Sequence, residues 1–408
     1  MDQLVTGAPL DGVRVLEIGN FMAAPFCGMQ LADLGAEVIK IESPAGGDVV
    51  RSAAPFQNGE SGAFMRLNRN KRGVAIDLKD ARGKELFLRL VRSADVVVEN
   101  LRPGAMAKMG LDYAYLKEIN ARLIYVAASG WGQDGPLSDL PGLDIMAQAR
   151  SGLMSITGEA KGDPVKVGVP ICDLTCALYC ALAAVAALSA RERTGEGQLI
   201  DVSLFESAMS LAVWEAGKFF TSGEVPGPLG SAHQSSAPYQ AVRAQDGWFT
   251  VGAATQATWR AFCSALGLER LETDPLYAEG NSRYRNREDL AAEVEKITTT
   301  RPVEHWIGLL ERDGVPCSPI QDYGQSFNDP HLLARTFFWD APHSTAGTVR
   351  QLGSPMRFSQ TQVRRTKAAP LLGEDTRGVL NELGCQDAEI DDLLALGVLA
   401  EPDPAAQK

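Results

Sequence analysis

The sequence has few of the residues on which metal sites and serine hydrolases depend. Its 408 residues include four histidines, at positions 233, 305, 331 and 343, and none of them is paired at a metal-binding spacing. It has no C-x-x-C pair and no G-x-S-x-G motif. We therefore expect neither a structural zinc site nor a nucleophilic serine of the hydrolase type, and we predict no metal ligands.

Positive charge is also in deficit, since the net charge is −12. Such a balance argues against a nucleic-acid partner. The first residues lack a basic stretch followed by an apolar run, so no signal peptide is predicted. The seven cysteines are odd in number and scattered, which suits a reducing compartment better than a disulfide framework. We expect a cytoplasmic protein.

Long apolar runs are scarce, and the most prominent one spans residues 174–190. It is slightly short for a bilayer and rich in alanine rather than leucine, and no second run resembles it. Cys172, Cys176 and Cys180 are four residues apart, so they share one helix face and are interpreted as packed thiols. The run predicts a buried core helix and no membrane partner.

Strands and helices alternate from the start of the chain. Residues 13–18 and 37–42 are predicted strands with a helix over 25–34 between them, which makes a βαβ unit with parallel strands. Further strands are predicted at 73–78, 95–100, 123–128 and 199–204. The first turn lacks the G-x-G-x-x-G fingerprint, so an NAD site is not expected. The fold class is α/β, with a Rossmann-like, mostly parallel sheet.

A change of character divides the chain into two domains. Residues 1–222 form the large domain, which we expect the segment 345–408 to complete. A Gly- and Pro-rich linker at 223–230 leads to a smaller α+β domain at 231–328. That domain opens with a predicted hairpin, and a second linker is expected at 329–344.

Asp173 stands between an apolar, strand-like run at 165–171 and the predicted helix that begins at Leu174. Asp is a preferred N-cap residue, and the positive end of a helix keeps a carboxylate ionised. From the residues alone, Asp173 is either a helix cap or a nucleophile.

Several polar residues follow predicted strand ends, where ligands of open α/β sheets bind. They are Asn20, Lys79, Asn100 and Arg102. The basic segment at 66–72 has two interpretations, a solvated loop or a site for a phosphorylated ligand. His233 is kept as a candidate substrate residue because it lies at the predicted domain junction, beside Pro238-Tyr239.

An ordered series of motifs resembles the class III CoA-transferases, the family of formyl-CoA transferase and carnitine CoA-transferase. The series covers nearly the whole chain. Its members are Pro9-Leu-Asp-Gly-Val-Arg-Val-Leu-Glu17, Leu34-Gly-Ala-Glu-Val-Ile-Lys-Ile-Glu42, Asn70-Lys-Arg72, Ile76-Asp-Leu-Lys79, Glu99-Asn-Leu-Arg-Pro-Gly104, Ser129-Gly-Trp-Gly-Gln133, Asp173 with its helix and Arg193-Thr-Gly-Glu-Gly-Gln198, Pro238-Tyr239 with Asp246-Gly247, and Pro370-Leu-Leu-Gly-Glu374.

The resemblance implies that Asp173 is the catalytic nucleophile. It would attack an acyl-CoA thioester, and the reaction would pass through an aspartyl anhydride and an aspartyl-CoA thioester before CoA reaches a carboxylic acid acceptor. Main-chain N–H groups near the helix start are expected to stabilise the tetrahedral oxyanions. CoA and acyl-CoA enter as substrates, and no permanently bound cofactor is expected.

The same resemblance assigns the CoA contacts. The matching positions are Asn20, Met22, Ala23, Ile76, Asp77, Leu78, Lys79, Asn100, Leu101, Arg102 and Lys108. The family's basic residue after the second strand is Ser43 here, and the hypothesis is that a cation of the 66–72 segment replaces it.

Two rival functions remain open. The α-methylacyl-CoA racemases of the family use a His-Asp pair where this chain has Leu143-Asp144. Leu143 cannot transfer a proton, so a transferase is favoured, and Asp144 is a candidate substrate-site residue. A non-catalytic CoA-binding partner subunit would lack the nucleophile, and Asp173 is present.

The resemblance also implies a class of acceptor and an assembly. A small dicarboxylate or hydroxy acid is expected as acceptor, with succinyl-CoA as a common donor. Oxalate is disfavoured because the glycine-rich lid of the formyl-CoA:oxalate enzymes is absent around 233–239. The expected assembly is an interlocked, ring-like homodimer, with each active site between the large domain of one chain and the small domain of its partner.

Overall fold

The computed structural model describes residues 7–402, and this part of the chain divides into two compact units. The first unit comprises residues 7–151, 168–211 and 331–402, and the second comprises 152–167 and 212–330. The sequence placed 152–167 and 212–222 in the large domain and made 331–344 a linker. In the structure, the first two segments group with the second unit and the third with the first unit.

The strands of the described residues are, in chain order, β1 (Arg14–Ile18), β2 (Glu37–Glu42), β3 (Phe56–Gln57), β4 (Glu60–Ser61), β5 (Arg72–Ile76), β6 (Val96–Glu99), β7 (Ile124–Ser129), β8 (Leu199–Ser203), β9 (Tyr239–Arg243), β10 (Trp248–Gly252), β11 (Cys317–Pro319), β12 (Phe338–His343), β13 (Gly347–Leu352) and β14 (Leu399–Ala400). The α-helices are α1 (Ala23–Asp33), α2 (Gly62–Leu67), α3 (Ala81–Val91), α4 (Ala105–Lys108), α5 (Tyr113–Ile119), α6 (Asp144–Arg150), α7 (Leu153–Ile156), α8 (Ile171–Thr194), α9 (Leu204–Met209), α10 (Val213–Ser222), α11 (Gln256–Leu266), α12 (Gly280–Arg285), α13 (Arg287–Thr298), α14 (Val303–Arg312), α15 (Tyr323–Ser326), α16 (Pro330–Ala334), α17 (Thr376–Glu382) and α18 (Asp387–Ala395).

The first unit is built on a seven-stranded sheet in the order β14-β5-β2-β1-β6-β7-β8. All neighbours pair in parallel except β14, which runs antiparallel to β5. The Val- and Ile-rich central strands are buried, as expected for a parallel sheet covered by helices on both faces. The order reverses between β1 and β6, which is the Rossmann switch point. The Rossmann-like sheet predicted from the sequence is confirmed.

Helix α8 is longer than the predicted helix at 174–190, since it begins at Ile171 and ends at Thr194. It begins at Ile171, so the run 165–171 is not a strand in the structure. Val165 and Val169 are exposed, and Pro170 starts the helix in place of Asp173. The strand prediction was wrong: none of the sheets of the described residues includes this run. The helix predicted over 205–220 is two helices, α9 and α10.

One face of α8 is in the core and the other is exposed. Its buried face includes Cys172, Cys176 and Cys180, as the spacing predicted, while Leu178 and Leu182 are exposed. By length and composition this helix is apolar enough to cross a membrane, a property that core helices of soluble proteins share. It packs against α1, α9 and the strands β7 and β8.

The second unit contains a three-stranded antiparallel sheet in the order β11-β10-β9. The predicted hairpin is confirmed, since β9 and β10 pair through Arg243 and Trp248 beside the turn. Phe249, Trp259 and Phe262 are fully buried at the centre of this unit's hydrophobic core.

Candidate active site

The candidate site lies at the carboxyl edge of the seven-stranded sheet. Turns that follow β1 and β6 meet there, because these strands are neighbours at the switch point. Helix α8 precedes the parallel strand β8 and runs back against the sheet, so its first residues lie at this same edge. The structure thus brings Asp173 to the edge that carries the predicted CoA contacts.

The turn between β1 and α1 offers main-chain donors to a ligand. The main-chain N–H groups of Met22, Ala23 and Ala24 have no hydrogen-bond acceptor among residues 7–402. They stand at the N-terminus of an 11-residue helix, where the backbone carries partial positive charge. Met22 is half-buried, so its N–H is accessible to an anionic or developing-oxyanion ligand, whereas Ala23 and Ala24 are buried. Met22 and Ala23 were predicted from the sequence, whereas Ala24 was not.

Asn20 and Asn100 hold the two turns together. The N–H of Asn20 donates to Asn100 Oδ1 at 3.0 Å, and Asn100 Nδ2 donates back to the carbonyl of Asn20 at 2.8 Å. The side-chain amide of Asn100 is therefore engaged in fixing the first turn. The neighbouring Glu99 accepts the N–H of Leu101 at 2.7 Å, and burial raises the pKa of Glu99 to about 7.

Three cations of the predicted CoA set are exposed: Lys79, Arg102 and Lys108. Within residues 7–402, their side chains form neither ion pairs nor hydrogen bonds. They are available for phosphate groups, which Lys and Arg bind through charge-assisted hydrogen bonds. Two of the predicted CoA contacts that precede Lys79, Ile76 and Leu78, are instead buried in the hydrophobic core.

The basic segment 66–72 contradicts both of its interpretations. Arg69 forms a two-fold hydrogen-bonded ion pair with buried Asp33, at 3.0 and 2.6 Å. Lys71 is fully buried and lies 2.7 Å from Glu17. Arg72 pairs with Glu37 and Glu382. Arg66 donates to the carbonyl of Gly62, within its own helix.

Arg69, Lys71 and Arg72 are paired with acids of the fold and Arg66 is bonded within its own helix, so the segment is neither a solvated loop nor a replacement for the basic residue missing at Ser43. The sequence shows their charge but not the acids that the fold brings to them.

Asp173 lies in the first turn of α8 and is half-buried. The N–H groups of Cys172 and Asp173 donate to Asp144 Oδ1 at 2.8 and 3.3 Å. The other oxygen of Asp144 accepts Gln148 Nε2 at 2.6 Å. Asp144, from α6, is therefore the carboxylate that caps α8, and Asp173 is left free of this role. The interpretation of Asp173 as the cap is wrong.

The surroundings of Asp173 hold its carboxyl near the neutral range. Burial, and after it the negative charge of Asp144, raises the pKa of Asp173 to about 7. Burial likewise raises the pKa of the adjacent Cys172 thiol to about 12, so this thiol is not a competing nucleophile at neutral pH. An acid poised near neutrality in a ligand-binding edge is typical of a catalytic group.

The start of α8 does not supply the predicted oxyanion donors. The N–H of Ile171 bonds to the carbonyl of Val169, and that of Leu174 bonds to Pro170. With the next two N–H groups bound to Asp144, the first turn of α8 is fully engaged. Free donors at this edge are found instead at the start of α1.

His233 lies in the second unit. Its ring stacks on Tyr239 at a centroid distance of 4.7 Å and contacts Trp214 edge-on at 5.8 Å. Its Nδ1 accepts the N–H of Ser235 at 3.1 Å. The structure gives His233 an aromatic environment within its own unit. Residues 7–402 contain no group of three His, Cys, Asp or Glu side chains that is arranged to hold a metal ion.

Comparison with known sequences identifies relatives over most of the chain. The model of CoA-transferase family III matches residues 10–376. A succinyl-CoA:glutarate CoA-transferase of Mus musculus is 37% identical over 395 residues, covering 96% of this chain and 91% of that protein. A succinyl-CoA:mesaconate CoA-transferase of Haloarcula marismortui is 37% identical over 385 residues, covering 92% and 96%.

Solved structures agree with this relationship. A CAIB/BAIF family protein from Brucella suis superposes with a TM-score of 0.84 at 36% identity, covering 92% of this chain and all of that one. Rv3272 from Mycobacterium tuberculosis gives a TM-score of 0.81 at 29% identity, covering 91% and 98%. The chain belongs to CoA-transferase family III and is a CoA-transferase.

Proposed function

We propose that this enzyme moves CoA from an acyl-CoA donor to a small dicarboxylic acid, with Asp173 as the nucleophile. The observation that carries the proposal is the half-buried carboxyl of Asp173, with a pKa of about 7, at the sheet edge that holds the free donors of α1. Its own helix is capped by Asp144, so no hydrogen bond to the first-turn N–H groups competes for the carboxylate.

The first half-reaction transfers CoA to the enzyme. A carboxylate oxygen of Asp173 attacks the thioester carbonyl carbon, the C–S bond breaks, and CoA leaves as a thiolate. The thiolate then attacks the side-chain carbonyl of Asp173 in the mixed anhydride, which releases the donor acid as a carboxylate and leaves an aspartyl-CoA thioester. In each step an anionic nucleophile, carboxylate or thiolate, is consumed and an anionic leaving group is released, so no proton transfer is required.

The second half-reaction is the reverse sequence with another acid. The acceptor carboxylate attacks the aspartyl thioester and expels the CoA thiolate. The thiolate attacks the acceptor side of the new anhydride, which forms the product thioester and frees Asp173. The N–H of Met22, the half-buried residue among the α1 donors, is the candidate for stabilising the tetrahedral oxyanions or a phosphate of CoA.

The CoA site is proposed at the turns after β1, β5 and β6. Lys79, Arg102 and Lys108 supply the cations for its phosphates, because their charges are not neutralised by neighbouring acids among the described residues. Asn20, Asp77 and Leu101 complete the contacts at these turns. No permanently bound cofactor is part of the proposal.

Racemisation is the second candidate, and Leu143 argues against it. Proton exchange at an α-carbon requires an acid/base group on each face. Leu143 is exposed beside Asp144 and carries no proton-transferring group. Asp144 itself is engaged by two main-chain N–H groups and Gln148.

The acceptor class is supported by the relatives. Those named above act with succinyl-CoA on glutarate or mesaconate, and both acceptors are dicarboxylates. A further relative, from Acetobacter aceti, is an acetyl-CoA:oxalate CoA-transferase with 35% identity. Oxalate therefore belongs among the acceptors to be tested, although the sequence disfavours it.

We further propose a cytoplasmic homodimer, interlocked as in the family resemblance. Each unit exposes large apolar side chains that a partner would cover: Leu182 of α8 is 63% exposed, and Phe220 of α10 is 82% exposed. Light scattering should give twice the chain mass of 43.7 kDa. A monomer at micromolar concentration would contradict this part of the proposal.

The central experiment follows CoA exchange by mass spectrometry. Succinyl-CoA is offered with glutarate, mesaconate, oxalate and monocarboxylates, and the new thioesters are identified. Asp173→Ala should abolish exchange while still binding CoA, whereas Glu118→Gln, which removes an exposed charge on α5, should match the wild type. Hydroxylamine should trap Asp173 as a hydroxamate in the presence of succinyl-CoA. Full exchange by Asp173→Ala would refute the proposal.

A further inference from the structure

A cluster of four buried charges lies beneath the turn between β1 and α1. Its members are Glu17 on β1, Lys40 on β2, Asp48 in the loop after β2, and Lys71 just before β5. Each is at most 1% exposed. Lys40 Nζ lies 2.9 Å from Glu17 and 3.1 Å from Asp48, and Lys71 Nζ lies 2.7 Å from the other oxygen of Glu17.

Members of this cluster also bind the main chain of the turn. Lys40 Nζ donates to the carbonyl of Gly19 at 2.8 Å, and Asp48 Oδ1 accepts the N–H of Phe21 at 3.2 Å. Lys71 Nζ donates to the carbonyl of Pro25 at 2.7 Å. The three contacts bracket the segment that carries the free N–H groups of residues 22–24.

The turn needs such a restraint. Phe21 has a φ of 62°, in the left-handed region that a non-glycine residue occupies only at a cost in free energy. Its side chain is exposed, so packing does not hold this conformation. The hydrogen bonds of Lys40, Asp48 and Lys71 to the main chain of the turn hold it instead. Burial and ion pairing keep these three side chains in one position.

We propose that the cluster of Glu17, Lys40, Asp48 and Lys71 positions the β1–α1 turn for CoA, acting through the main chain without contacting the ligand. These four are positioning residues, and the inference rests on the proposed CoA site. Two charges of each sign balance within the cluster, so it is a rigid support and adds no net charge to the site.

Asp48 is the member best suited to a test. Its loop is fixed independently, because its N–H donates to Glu42 at 2.9 Å and Glu42 pairs with Arg51 through two hydrogen bonds. Asp48→Ala removes the acceptor for Phe21 N–H and one partner of Lys40, together with the acceptor for Val50 N–H at 3.0 Å in its own loop. Asp48→Asn keeps an oxygen for that N–H and loses the charge, and it is the milder variant if Asp48→Ala does not fold.

The matched control is Arg69→Met. It breaks the ion pair with Asp33 at the far end of α1, which is also buried but does not touch the turn. All variants are compared with the wild type for CoA affinity by calorimetry, for KM and kcat with succinyl-CoA, and for melting temperature.

We expect Asp48→Ala to weaken CoA binding and to raise the KM by about tenfold, equivalent to about 1.4 kcal/mol, with kcat at saturation within about twofold. Asp48→Asn should show a smaller rise. Arg69→Met should lower the melting temperature comparably and leave CoA affinity unchanged.

Equal CoA affinity in Asp48→Ala and Arg69→Met would overturn the inference, and so would an unchanged KM in both Asp48 variants. If the wild type binds CoA but transfers none, the proposed function is refuted and this inference is not. The CoA affinities of the wild type and the variants can still be compared in that case.

Discussion

The replacement Asp144→Asn separates the two causes that raise the pKa of Asp173, the proposed nucleophile: burial and the negative charge of Asp144. It removes the negative charge that helps to raise the pKa of Asp173 and keeps an oxygen that caps α8. In the proposed mechanism only the ionised form of Asp173 attacks the thioester, so kcat/KM should fall as the pH drops through the pKa of Asp173. In the variant that pKa is lower, because burial alone remains to raise it. The acid limb of the pH profile should therefore move to lower pH.

The size of this displacement follows from the geometry. Asp144 Oδ1 lies 3.3 Å from the main-chain nitrogen of Asp173. An aspartate carboxylate reaches roughly 4 Å from its own nitrogen, so the two charges are within about 7 Å of each other. At an effective dielectric constant of about 20, that separation corresponds to about 2.4 kcal/mol, or roughly 1.7 pH units. Because both carboxyls are half-buried and solvent screens them, we expect about one pH unit.

The assay is kcat/KM for succinyl-CoA between pH 5 and pH 9. Glu118→Gln removes one exposed negative charge from α5 and should leave the acid limb where the wild type has it. Asp144→Ala also removes the cap and should lower stability by about 1 kcal/mol, whereas Asp144→Asn should not. An acid limb that stays in place in Asp144→Asn, or moves to higher pH, would refute the electrostatic role of Asp144.

Two further predictions concern stability and binding. Because the folded-state pKa of Asp173 is raised, its ionisation destabilises the fold as pH rises from about 4 through about 7, so Asp173→Asn should raise the melting temperature by a few degrees at pH 8 and by less at pH 5. Equal gains at both pH values would show that ionisation is not the cause. Alanine at Lys79 or Arg102 should raise the KM for succinyl-CoA severalfold and make it less sensitive to salt, with kcat retained; Arg92→Ala, an exposed cation beyond α3, is the control. An unchanged KM in both variants would remove these cations from the CoA site.

The sheet was predictable from the sequence because its strands are short apolar runs separated by helices. The strand at Glu37–Glu42 was predicted with its observed bounds. A regular pattern of this kind is local, so it can be recognised without knowledge of the fold. The start of α8 was misplaced because the preceding apolar run resembles a strand in its local pattern, and only the fold shows that this run belongs to none of the described sheets.

The candidate site was predictable only in part. Asp173 and the turn residues were identified through motifs, but the partners that determine their behaviour are distant in sequence. Asp144 caps α8 by accepting the N–H of Cys172, 28 residues later in the chain, and Asp33 pairs with Arg69 across 36 residues. A basic run looks the same whether its charges face a phosphate or buried acids, since only the fold supplies the acids.

The carboxylates of Glu17 and Asp48 differ from that of Asp173 in burial and in ion pairing, and this difference bears on their roles. Glu17 and Asp48 are fully buried and each is ion-paired with a lysine, so they are held in place without being available for chemistry. Asp173 is only half-buried, has no cation beside it among residues 7–402, and faces another acid, so it retains a pKa near 7 and can reach a substrate. A carboxylate that served the fold alone would be stabilised by pairing. The unpaired position of Asp173 therefore supports its proposed role as the nucleophile.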